Sequence, residues 1–109
     1  MAAALFDGYE RVSDDMMLPG ELRSAALADG TALCIGNADG SVFAVQNECT
    51  HAAFPLSEGS LLPGGVIQCA WHGARFDCRS GEALQEPAFD PLELFEVRVG
   101  DGCVWVRRP

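Results

Sequence analysis

"TALCIGNADGSVFAVQ" (residues 31–46) decides the fold class. Two apolar stretches, 31–36 and 41–46, flank an Asp-Gly pair, and Asp-Gly accepts the positive φ that a tight hairpin turn demands. The spacing predicts a β-hairpin. "GDG" at 100–102 divides "LFEVRVG" (94–100) from "CVWVRR" (103–108) in the same way, leaving Leu94, Val97, Val99, Val104 and Val106 for a core face. Working outward, short strands are expected at "YERVS" (9–13), "ELRSAAL" (21–27), "GVIQCA" (65–70), "ARFDC" (74–78) and "EALQ" (82–85), each bounded by turn residues. No segment keeps a helical period over three turns. The chain therefore reads as all-β, a small β-sandwich or barrel of antiparallel sheets. Residues 47–64 show no clean strand; they read as a loop punctuated by glycine and proline, and long loops in small β domains usually hold a site.

At 109 residues, 49% of them hydrophobic, the chain suits one domain, 1–109. Sixteen acidic residues against seven basic ones, all arginine, leave a formal charge of −9. Such a field repels nucleic acid and anionic membrane surfaces, so neither is an expected partner. "MAAALFDGYERV" at the start lacks the basic, continuously apolar character of a signal peptide. No run approaches the ~18 apolar residues of a membrane span. A soluble, cytoplasmic monomer is the expectation.

Five cysteines is an odd count, which favours a metal site over a disulfide framework. The donors fall in two boxes: Cys49 and His51 in "ECTHAAFPLSEG" (48–59), and Cys69 and His72 in "QCAWHGARFD" (68–77). Two loops can thus present two thiolates and two imidazoles at one point. Tetrahedral zinc could use these donors, and so could an iron–sulfur cluster with the cysteines on one iron and the histidines on the other. Each box mixes the two residue types, which suits an asymmetric two-iron centre. The neighbours Ala52, Ala53, Ala70, Gly73 and Ala74 are small enough to let backbone N–H groups approach inorganic sulfides.

With C-x-H and C-x-x-H-G in an all-β chain of this length, the sequence resembles the Rieske-type [2Fe–2S] ferredoxins, electron-transfer components of multicomponent aromatic-ring-hydroxylating dioxygenases. The resemblance covers roughly residues 5–108, including "EPAFDPLELFEV" (86–97), similar through Pro87 and Ala88 to the family's proline-containing loop. It implies a cluster-binding loop subdomain at about 47–78 and one [2Fe–2S] cluster per chain. Cys49 and Cys69 would hold the inner iron. His51 and His72 would hold the outer iron through Nδ1, leaving each Nε2 near the surface as the electron port. The implied partners are an NAD(P)H-dependent flavoprotein ferredoxin reductase and a terminal ring-hydroxylating oxygenase. A small Rieske subunit of an assimilatory nitrite reductase and a zinc-stabilised interaction module are the alternatives.

In the family's high-potential branch each box holds one further cysteine, and the two form a disulfide; Phe54 and Trp71 stand there in this chain. Packing of these two aromatics is expected in its place. That branch also carries a serine and a tyrosine that donate to sulfur, where this chain has Ala74 and Phe76. Losing both donors implies a midpoint potential near the low end of the Rieske range, about −150 mV. Related oxygenases need a second iron held by two histidines and a carboxylate. This chain has two histidines in total, and the cluster takes both, so an electron carrier is expected rather than an enzyme. Docking is expected through an apolar tip around His51 and His72, formed by Ala52, Phe54, Pro55, Leu56 and Trp71; Glu58 is the one charged residue between Cys49 and Ala74. Cys34, Cys78 and Cys103 are expected as buried thiols acting as small hydrophobes, and Arg75 and Asp77 as strand-surface residues.

Overall fold

The computed structural model describes residues 8–15, 17–50, 54–70, 73–85 and 90–108. Ten strands form in them: β1 (Glu10–Ser13), β2 (Leu22–Ala26), β3 (Ala32–Ala38), β4 (Ser41–Gln46), β5 (Ser60–Leu62), β6 (Val66–Gln68), β7 (Arg75–Asp77), β8 (Ala83–Gln85), β9 (Leu94–Gly100) and β10 (Cys103–Arg107). Every pairing is antiparallel. One sheet has the order β1-β10-β9-β4-β3-β2, and the other is the meander β5-β6-β7-β8. The all-β reading holds.

Both Asp-Gly turns close two-residue hairpins. Asp39 (φ 53°) and Gly40 (φ 95°) join Ala38 to its partner Ser41, and Asp101 (φ 56°) and Gly102 (φ 71°) join Gly100 to Cys103. Positive φ at both central residues matches the turn to the right-handed twist of its strands. Asn37, buried in β3, holds the first turn from inside: its side-chain oxygen accepts from Gly40 N–H (2.7 Å) and its amide donates to the Met17 carbonyl (2.8 Å).

The opening hairpin is a wall between two cores. Side chains alternate across a strand, so Leu33, Ile35 and Ala44 enter one cluster with Phe95, Val104 and Val106. Their neighbours Cys34, Phe43 and Val45 enter the other with Cys49, Leu56, Ile67, Cys69, Ala74 and Phe76. The strand β9 straddles the wall too, with Phe95 on one side and Leu94 packed on the other. The expected core face of the last hairpin is corrected at Val99, which is 49% exposed near the Asp101-Gly102 turn although its cross-strand partner Val104 is fully buried.

The stretch 47–64 holds more order than a loop. A 3-10 turn at Leu56–Glu58 leads into β5, which pairs with β6. With three residues bounded by Gly59 and Pro63, β5 is too short for its pattern to declare a strand. The second sheet is one excursion of the chain, leaving after β4 and returning at β9, and these two strands are themselves paired through Ala44–Phe95 and Val45–Leu94.

Candidate metal centre

Cys49 lies just beyond β4, and Cys69 directly follows β6. Both are buried, at 2% and 1% exposure, and both belong to the core cluster of the second sheet. The excursion therefore brings the two predicted thiol donors into one apolar environment. His51 and His72 lie outside the described residues, as do Ala52, Ala53, Trp71, Pro87 and Ala88. The expected packing of Phe54 on Trp71 falls outside them as well.

The two boxes are built alike. Cys49 N–H donates to the Phe54 carbonyl (3.0 Å), and Cys69 N–H donates to the Ala74 carbonyl (2.7 Å). Each bond ties a cysteine to the residue five further on, and each of these two stretches of sequence contains one histidine. Gly73, at φ +72°, takes a conformation that L side chains rarely adopt. This explains why a glycine follows the second histidine. Gly59 lets the first loop lie against the second sheet: a Cβ there would sit 2.0 Å from the Gln68 carbonyl oxygen, one residue before Cys69.

Around this centre, side chains lock the loop bases. Ser57 N–H donates to Asn47 Oδ1 (2.9 Å) while Asn47 Nδ2 donates to Ser57 Oγ (3.0 Å), closing the neck of the first loop. Thr50 Oγ1, between the first cysteine and histidine, donates to the Asp90 carbonyl (2.8 Å). On the second sheet Arg75 Nε donates to Gln68 Oε1 (3.0 Å), and the Asp77 carboxylate accepts from Arg79 N–H (2.7 Å). Asn47, Thr50 and Gly59 were not singled out from sequence. Their nearness to Cys49 was the available signal, but only the fold supplies their partners.

The tip is corrected at one position. Leu56 is fully buried, because the 3-10 turn that it opens directs it into the core, whereas Pro55 is exposed and Phe54 half-buried. Cys34, Cys78 and Cys103 are buried thiols, as expected. Burial pushes the Cys34 thiol up to about 12 and also raises that of Cys78, where the Arg79 guanidinium opposes the shift.

Two buried thiols in one core, each presented by a clasped loop, fit an inorganic cluster. An all-β fold of two antiparallel sheets, with one cysteine on the crossing from β4 into the smaller sheet and the other between two strands of that sheet, suits a small iron–sulfur domain. The chain belongs to the Rieske [2Fe–2S] domain family, whose profile matches residues 9–96. It is 37% identical to the biphenyl dioxygenase ferredoxin subunit of Pseudomonas sp. (strain KKS102) over 87 residues, 80% of this chain and 79% of that one. It is also 37% identical to the ferredoxin component of the p-cumate 2,3-dioxygenase system of Pseudomonas putida over 92 residues, 84% of this chain and 78% of the other. Among solved structures, a chain in the complex of reduced oxygenase and oxidized ferredoxin in carbazole 1,9a-dioxygenase superposes with a TM-score of 0.83 at 33% identity. That match covers 92% of this chain and 93% of the other. A Rieske domain holds one [2Fe–2S] cluster, and no helix among the described residues is long and apolar enough to cross a membrane.

Proposed function

We propose that this chain is a low-potential one-electron carrier, taking its electron from an NAD(P)H-dependent flavoprotein reductase and passing it to the terminal oxygenase of an aromatic-ring dioxygenase system. Cys49 and Cys69 hold the buried iron, and His51 and His72 hold the outer one. When bound, the cluster accepts and releases a single electron. The chain's own residues bury its inner side and keep water from the thiolates. The tip around the two histidines is the docking face, and residues 47–78 are the cluster-binding part of a single domain, with β8 extending its sheet.

The observation that carries this reading is the matched pair of clasped, buried cysteines, Cys49 and Cys69, in one core. Two things support the carrier role: relatives that are named as ferredoxin parts of dioxygenase systems, and a supply of two histidines that leaves none for a catalytic iron. Replacing the four ligands one at a time tests it. Cys49→Ser, Cys69→Ser, His51→Ala and His72→Ala should each abolish the Rieske visible spectrum and lower bound iron and sulfide. Cys34→Ala, Cys78→Ala and Cys103→Ala should retain both. A full cluster in any of the first four variants would overturn the assignment.

A further inference from the structure

The outgoing and returning chains of the excursion meet at Gln46, the last residue of β4. Its backbone N–H donates to the Glu93 carbonyl (3.0 Å). The reciprocal bond is made by the side chain: Glu93 N–H donates to Gln46 Oε1 at 2.7 Å. The side-chain amide thus accepts the bond that the backbone carbonyl would accept in a regular ladder pair, while the main chain turns away toward Cys49. The same amide donates through Nε2 to the Glu48 carbonyl (2.9 Å). On the other side of Cys49, Thr50 Oγ1 donates to the Asp90 carbonyl (2.8 Å). Cys49 is therefore bracketed by residues 48 and 50. Thr50 is tied directly to the 90–93 segment, and Glu48 is tied to it through Gln46. No disulfide reinforces this junction, since all five cysteines are thiols.

We propose that Gln46 is a positioning residue for the cluster, fixing the register of the Cys49 loop against the segment 90–93 and through it the placing of Cys49 and His51. The inference rests on the assignment of those two residues as ligands. Gln46→Met keeps the length of the side chain and the backbone bond to Glu93 but removes both amide bonds. In the holoprotein, iron should be released to a chelator about fivefold faster for each net hydrogen bond lost. The EPR g-values and midpoint potential of the reduced cluster should also shift. Thr50→Val cuts the second tie and should move the same readouts in the same direction; Thr50→Ser keeps the hydroxyl and should behave as the unsubstituted protein. A general loss of stability would lower the unfolding temperature without moving the g-values. If Gln46→Met and Thr50→Val keep the original g-values and potential, the proposal is overturned. A Cys49→Ser protein that retained its cluster would instead overturn the ligand assignment.

Discussion

Ala74 closes the second cysteine loop with its carbonyl and is wholly buried, yet its methyl group offers nothing to a neighbouring sulfur. Phe76, two residues on and equally buried, also lacks a hydroxyl. Hydrogen bonds to the sulfurs of a cluster favour its reduced state, so the low potential proposed above rests in part on these two side chains having no donor to offer. Ala74→Ser adds one small donor where the backbone bond to Cys69 is unaffected. A net hydrogen bond of about 1 kcal/mol to the reduced form corresponds to about 40 mV for one electron. The variant should therefore titrate about 40 mV above the unsubstituted protein in a spectroelectrochemical measurement. An unchanged or lower midpoint would mean that residue 74 does not reach the cluster's sulfurs.

At the scale of elements, the junction between the first loop and the second sheet depends on Gly59. A methyl group there would meet the backbone oxygen of Gln68, which cannot move without displacing β6 and Cys69 behind it. Gly59→Ala should cost about 2–3 kcal/mol of stability. Gly64→Ala, with open space around it but φ at +85°, should cost about 1 kcal/mol. Thermal unfolding of the two variants checks this, and Gly59→Ala unfolding no earlier than Gly64→Ala would contradict it. The hairpins around Asp39-Gly40 and Asp101-Gly102 were legible because the turn chemistry and the flanking apolar stretches agree. Neither signal reaches β5: three residues carry no period, and its pairing with β6 needs a close approach at Gly59 that no local pattern declares. The four ligand candidates were legible as residue types at a spacing. The ties of Thr50 and Gln46 to the returning segment were not, because their backbone partners lie 40 and 47 positions away in sequence, and the Asn47–Ser57 clasp depends on a 3-10 turn that the sequence reading left as loop.

At the scale of the molecule, the chain assembles one sheet and inserts a second between neighbouring strands of the first. The wall β3-β4 serves both cores, a role no local pattern declares, since alternation alone does not say that both faces are covered. Charge acts on the centre as a whole. Two ferric ions, two sulfides, two thiolates and two neutral imidazoles sum to zero, so the added electron makes the cluster negative inside a chain of formal charge −9. That field and the missing hydroxyls act in the same direction, against reduction. An anaerobic reductive titration of the holoprotein, followed by EPR, measures the result directly. Uptake of one electron per chain at a midpoint of about −150 mV is the outcome this account predicts; a clearly positive midpoint, or no electron uptake, would contradict it.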